Sequence, residues 1–389
     1  MFKNTMHFNY LYPSFNELNM IVTKMKLDYE TETQEVFVIY KKLLQSFDEE
    51  LYYKMSYLQK DIIIKYIKRI LDIFPQLKNI PISIFLHGSF SKGLNRRYSD
   101  IDLNFIYPEK YKSKLFPVEE LIALMITEVL GLKSRDHIHN MMIYGVKEDN
   151  LKKYSNYIIL FKDGGELKYT VRDTKQHLIN RIYISKRNID SFLSYIKVNL
   201  NKNFINEWCY SILPIKKYDD YNILEKFNKL RKNNSILNKE YYKQMAIKEL
   251  KILNESVDVS FSNNEYYVRY LNILLKKHYK DIVIRFLVIY NEIYLECSNI
   301  DYLQLVPFLK KDNNINNFIT HYIWLIMRIE EVCHVYDLDF SYKSQKIISK
   351  ETFGNYYLEL FGINFDKEFN QIIKNLKQQI IACYERMIE

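Results

Sequence analysis

The sequence predicts an α+β fold: a small mixed β-sheet core with helices on one face, preceded by N-terminal helices and followed by a large helical region. Two observations carry this. Six of the eight glycines, Gly88, Gly93, Gly131, Gly145, Gly164 and Gly165, fall between positions 88 and 165, and none occurs from Glu166 to Phe353. Glycine marks tight turns and positive φ, so turns concentrate in that window. On either side of it, apolar residues recur at the 3.6-residue spacing of amphipathic helices.

Taken in order, residues 15–74 carry helical periodicity, as in "QEVFVIYKKLLQSF" and "LQKDIIIKYIKRILDIF", and stop at Pro75. From Pro81 the pattern changes to short strands: "ISIFL", "DIDLNFIY", "MMIYGV" and "NYIILF". "KDGG" reads as a turn that returns the chain into "ELKYTVR" as a hairpin strand. Between the strands, "PVEELIALMITEVLGL" reads as a helix entering at Pro117 and leaving at Gly131. Beyond about residue 175 the sequence reads as long amphipathic helices, among them "NIDSFLSYIKVNL", "YYKQMAIKELKIL", "FITHYIWLIMRIEEVCHVY" and "FNQIIKNLKQQIIACYERMI". The expected organisation is an N-terminal helical segment (1–79), a core with a sheet of about five strands (80–175) and a C-terminal helical domain (176–389).

Composition narrows the function. With 48% apolar and 26% charged residues the chain describes a folded globular protein. The net charge of +9 favours acidic or phosphate-bearing partners, although lysine-rich coding alone gives the same sign. Cys209, Cys297, Cys333 and Cys383 sit far apart in apolar periodic segments with no CxxC pair, which predicts buried free thiols in a reducing compartment. The N-terminus lacks an apolar h-region and the most apolar stretch is broken by Arg285, Asn291 and Glu292. Neither a signal peptide nor a membrane span is expected, and the expected location is cytoplasmic.

The chemistry concentrates in "HGSFSKGLNRRYSDIDLNFIYP", residues 87–108. If "SDIDLNFIY" is a strand, Asp100, Asp102 and Asn104 share one face, and Ile101, Leu103 and Phe105 the other. Two neighbouring carboxylates repel unless a cation lies between them. A carboxylate pair holding two hard divalent cations, Mg²⁺ or Mn²⁺, about 3.5–4 Å apart is an arrangement that serves phosphoryl and nucleotidyl transfer. Upstream, Gly88 permits close approach of backbone to a phosphate, and Ser89 adds a donor. Gly93 turns the chain back toward the next strand.

An apolar strand, Gly-Ser, about ten residues and an Asp-x-Asp strand together resemble the nucleotidyltransferase superfamily that includes DNA polymerase β. The stretch "GSFSKGLNRRYSDIDLNFI" is similar to the motifs of aminoglycoside and glutamine-synthetase adenylyltransferases, and the resemblance covers about residues 80–175. It implies a nucleoside triphosphate substrate, with ATP as the first candidate, and a third carboxylate on a later strand. Glu166, Asp163 and Asp173 are the candidates; Glu166 is favoured because "ELKYTVRD" puts it on the polar face of its strand. The same parity makes Lys168 and Arg172 candidates for phosphate contact.

Other motifs have bland readings beside functional ones. His137 and His139 stand at H-x-H spacing without a third ligand, which favours a solvated pair over a metal site. No adjacent His-Asp dipeptide suggests an appended phosphohydrolase. His87 reads as structural at a strand end. Arg96 and Arg97 are candidates for triphosphate or acceptor phosphate contact, against a solvated loop face. Tyrosines at helical spacing, with Trp208 and Trp324, read as core rather than base-stacking surfaces.

The expected activity is therefore metal-dependent transfer of a nucleoside monophosphate to a hydroxyl with release of pyrophosphate. Asp100, Asp102 and Glu166 would act as catalytic and metal-holding residues, and Gly88, Ser89, Lys168 and Arg172 would bind the nucleotide. The first acceptor class is a nucleic-acid or nucleotide 3′-hydroxyl; a small molecule or a protein side chain follows. A glycosyltransferase, which also uses Asp-x-Asp, and a catalytically silent binding module are the competing classes.

Overall fold

The computed structural model describes residues 5–9, 14–99, 101–111, helical positions within 115–130, 141–144, 154–160, 166–172, 212–233, 239–255, 265–297, 299–312, 314–340 and 344–389. The chain divides into two compact units: Met1–Val36, Tyr57–Asn95 and Ser99–Arg231 form the first, and Phe37–Ser56, Arg96–Tyr98 and Lys232–Glu389 the second. No described helix is long and apolar enough to cross a membrane.

The N-terminal helices expected from periodicity are present as α1 (Phe15–Glu32), α2 (Gln34–Gln45) and α3 (Glu49–Leu71). Ser14 caps α1 in a reciprocal capping box with Glu17. A short 3₁₀ turn, Pro75–Asn79, follows α3, as the proline requires. In the first unit, the second half of α3 buries Ile62, Ile63, Tyr66, Ile67, Ile70 and Leu71, one apolar stripe at 3–4-residue spacing.

The first unit holds two sheets where the sequence suggested one of about five strands. Strands β2 (Ser83–His87), β3 (Ile101–Ile106), β4 (Met141–Tyr144) and β7 (Leu213–Asp219) form the first, in the order β4-β3-β2-β7. β2 runs antiparallel to β3 and β7, and β3 parallel to β4. Parallel strands need a long crossover. Helical positions from 115 to 129 lie in it, and they bury Leu115, Val118, Leu121, Ile122, Met125, Ile126 and Val129. The second sheet has the order β1-β5-β6, with β1 (Thr5–Asn9) parallel to β5 (Tyr154–Leu160), and β5 antiparallel to β6 (Glu166–Arg172). The hairpin expected at "NYIILF…ELKYTVR" is thus present. Its "KDGG" turn lies outside the described residues.

Two strands fall where helix was expected. β1 is five residues long and pairs with a segment some 150 residues away, so no local period reveals it. β7 lies beyond the expected core boundary at 175, in "LPIKKYD". Its register shifts against β2, and the buried positions Ile212, Ile215 and Tyr218 recur every third residue, which imitates a helical stripe. Pro214 is tolerated because β7 is an edge strand. The helix expected at "NIDSFLSYIKVNL" lies outside the described residues.

The second unit is helical as expected. Its principal helices are α6 (Lys239–Glu255), α10 (Ile315–Val335), α11 (Lys350–Phe361) and α12 (Phe365–Ile388), with α10 and α6 both packed on α12. Between α6 and α10 the chain forms α7 (Tyr267–Ile273), a π-helical turn Leu274–Tyr279, α8 (Lys280–Tyr290), a second π turn Asn291–Leu295, and α9 (Tyr302–Leu309). Tyr242, Tyr267, Tyr302, Tyr357 and Tyr384 are fully buried, and Trp324 donates to the Leu43 carbonyl, so these aromatics are core. Cys333 and Cys383 are buried free thiols; Trp208 and Cys209 lie outside the described residues.

A buried charge cluster also belongs to this unit. Arg96 grips Glu330 with Nε and Nη2 at 3.1 and 3.2 Å, and Lys276 from the first π turn reaches the same carboxylate at 2.7 Å. Burial pushes the Glu330 carboxyl up, but Arg96 and then Lys276 outweigh it and hold it at about 2, against an ordinary 4.5. A carboxyl depressed on folding stabilises the protein above its unfolded value and loses that contribution as pH falls through the folded one. Glu330→Gln is therefore expected to cost about 3 kcal/mol at neutral pH and to flatten the loss of stability between about pH 5 and 2. Urea unfolding of both proteins across that range is the measurement.

Candidate active site

The site grows from the β2–β3 antiparallel pair. β2 is buried along its whole length and ends at His87, directly opposite Asp102 of β3. The next residue, Gly88, adopts φ +74° and opens a four-residue helix, α4 (Gly88–Ser91). Only glycine takes that φ without steric cost. A side chain there would also have no room: a Cβ added to Gly88 would lie 1.9 Å from Asp102 Oδ2 and 3.0 Å from its Cγ. The missing side chain is what lets the Asp102 carboxylate lie against the turn.

The turn is held by its own residues. Ser91 Oγ donates to the Gly88 carbonyl at 3.0 Å, and Lys92 Nζ donates to the same oxygen at 3.2 Å. The Leu94 amide donates to the Ser89 carbonyl at 3.0 Å, and Gly93 takes φ +66° to turn the chain. Asn95 Nδ2 donates to Gln59 Oε1 at 2.9 Å, tying the end of the turn to α3. Ser89, Ser91, Lys92 and Asn95 are all buried, which fixes the loop.

β3 departs from the expected alternation of an apolar and an open polar face. Five of its six residues are buried, and Asp102 alone is partly exposed. The strand thus meets solvent at Asp102. Two residues on, Asn104 is fully buried, and among the described residues neither its Oδ1 nor its Nδ2 has a hydrogen-bond partner. Strand parity places Asn104 on the acid face, whereas its burial cannot be read from alternation.

Of the remaining expected site residues, Asp100, Asp163, Asp173, His137 and His139 lie outside the described residues. Glu166, Lys168 and Arg172 lie on β6, paired in register with Leu160, Ile158 and Tyr154 of β5. β6 belongs to the three-stranded sheet and β3 to the four-stranded one, so the two strands are not hydrogen-bonded neighbours. Among the described residues no three His, Cys, Asp or Glu side chains converge as metal ligands. Arg96 is committed to Glu330, whereas the Arg97 guanidinium lies over the rings of Phe37, Tyr40 and Tyr98 at 4.5–5.1 Å.

A glycine turn between two antiparallel strands thus abuts the carboxylate of the one partly exposed residue of the second strand. Residues 67–230 match the family model described as a nucleotidyltransferase domain. The match covers less than half of the chain and supports the resemblance to nucleotidyltransferases and, in general terms, transfer of a nucleoside monophosphate. The match begins within α3, takes in β2 to β7 and ends in α5 (Ile223–Asn233), so it leaves out β1 and reaches past the boundary expected at 175. A search of curated proteins finds no match.

Proposed function

We propose that the domain is a metal-dependent nucleotidyltransferase that moves the nucleoside monophosphate of an NTP, ATP first, to a nucleic-acid or nucleotide 3′-hydroxyl. The observation that carries this reading is the packing of the Asp102 carboxylate against a side-chain-free Gly88. A partly exposed, anionic oxygen donor beside a bare turn suits a hard divalent cation, and Asp100, two residues upstream, would share it. The ions, two of Mg²⁺ or Mn²⁺, would neutralise phosphate charge and lower the pKa of the attacking hydroxyl.

The chain's own residues do the rest. The Gly88 backbone and Ser89 hold the β- and γ-phosphates, with Lys168 and Arg172 adding positive charge. Glu166 would take up the proton of the acceptor hydroxyl. The acceptor oxygen bonds to the α-phosphorus as the bond from that phosphorus to the bridging oxygen breaks, and the electron pair leaves with pyrophosphate. The net charge of +9 and the helical mass beyond the domain support a polyanionic acceptor, in the cytoplasm.

Incubation with each α-labelled NTP and Mg²⁺ or Mn²⁺, followed by chromatography, tests the acceptor. Labelled oligonucleotide formed alone or on an added nucleic-acid 3′ end is the expected product. Label appearing only on an added small molecule or protein would redirect the acceptor assignment, and transfer from a UDP-sugar in place of any NTP would overturn the reading.

A further inference from the structure

Asn104 is a buried polar side chain that the transfer chemistry leaves unused. The period-2 alternation of β3 puts it on the same side of the sheet as Asp102, one step deeper, with Phe85 beside it in register as His87 is beside Asp102. It is fully buried, and both atoms of its amide lack a partner among the described residues. Ser83, farther along that face of β2, shows how the fold treats another buried polar group. Its hydroxyl donates to Asp219 Oδ1 at 2.6 Å and accepts from the Tyr221 amide at 3.1 Å. Buried donors and acceptors left bare are costly and rare, and an apolar side chain of the same branched outline, such as leucine, would avoid that cost. A group retained against stability at this spot points to a partner other than protein.

We propose that Asn104 holds a buried water molecule behind Asp102 and acts through it as a positioning residue for nucleotidyl transfer. Residues i and i+2 of a strand stand about 7 Å apart at Cα, and two hydrogen bonds through one water span about 5.6 Å between side-chain atoms. The amide Nδ2 donates to the water oxygen, and the water donates to the Asp102 carboxylate, fixing its orientation beside Gly88. Internal waters of this kind bridge otherwise bare polar groups and are held in place by them. The positioning role rests on the assignment of Asp102 to the transfer site; the water itself does not.

The test compares wild-type protein with Asn104→Leu and Asn104→Ser. A crystal structure of the wild type is expected to show an ordered water within hydrogen-bond distance of the Asn104 amide, absent in Asn104→Leu. Asn104→Leu should keep or raise Tm while kcat falls about 10-fold or more, the scale seen when groups that orient metal ligands are removed. KM for the NTP should hold within about twofold, and Asn104→Ser, which retains a donor and acceptor, should restore most of kcat. An amide paired to protein groups, a Tm fall of more than about 5 °C in Asn104→Leu, or an unchanged kcat would overturn the proposal. If wild-type protein transfers no nucleotide to any acceptor, the transfer reading fails on its own account, and the density and Tm still decide the water.

Discussion

Asp102→Asn is expected to reduce nucleotidyl transfer at least about 10³-fold, equivalent to about 4 kcal/mol of transition-state stabilisation, while leaving the fold in place. The amide keeps the shape of the carboxylate, so its contact with the Gly88 turn survives. What disappears is the anionic donor that a hard divalent ion requires. Asp102 is the one partly exposed residue of β3, so exchanging it leaves the buried remainder of the strand untouched and Tm should move by less than about 5 °C. Steady-state pyrophosphate release and a melting curve, measured on the same preparation, separate the two effects. A large loss of stability accompanying the loss of activity would instead mark Asp102 as a structural residue.

Gly88→Ala is expected to reduce transfer about 10²-fold or more by a different route. The alanine Cβ would need the space 1.9 Å from Asp102 Oδ2, at a φ of +74° that costs an L-residue about 1–2 kcal/mol. The clashing atom is the end of a side chain and not backbone, so the carboxylate can swing aside and spare the fold most of the strain. The cost then falls on function: Asp102 is turned out of the position that the turn gives it. A Tm lowered by a few degrees with activity almost gone is the expected pair of results, from the same two assays. Full activity in Gly88→Ala would mean that the contact with Asp102 has no part in the reaction.

The parts of this molecule that were legible in the sequence are those whose determinants are local. "HGSFSKG" and "DIDLNFI" declare a turn and a strand within one window, and the β2–β3 register then brings His87 opposite Asp102 without help from elsewhere. Helices such as α10 and α12 are long enough for their apolar stripe to be unmistakable. The hairpin β5–β6 announces itself through Gly164 and Gly165. What was not legible depends on pairing at a distance. β1 is defined only by its partner β5, and β7 by its partner β2, whose register shift also hides its alternation. Arg96 and Arg97 are adjacent and chemically identical, yet only Arg96 is taken by Glu330, 234 residues away. No spacing rule distinguishes them. Asn104 illustrates the same limit: its position on the acid face follows from parity, but its complete burial is a matter of tertiary packing that parity does not encode.

The central claim is that the carboxylate beside the Gly88 turn exists to take a divalent ion together with a triphosphate. Calorimetric titration of an NTP into wild-type and Asp102→Asn protein, with and without Mg²⁺, tests it most directly. Wild-type protein should bind the NTP far more tightly with Mg²⁺ than without, and Asp102→Asn, folded by its melting curve, should lose that difference. Equal Mg²⁺-dependent binding by both proteins would contradict the account.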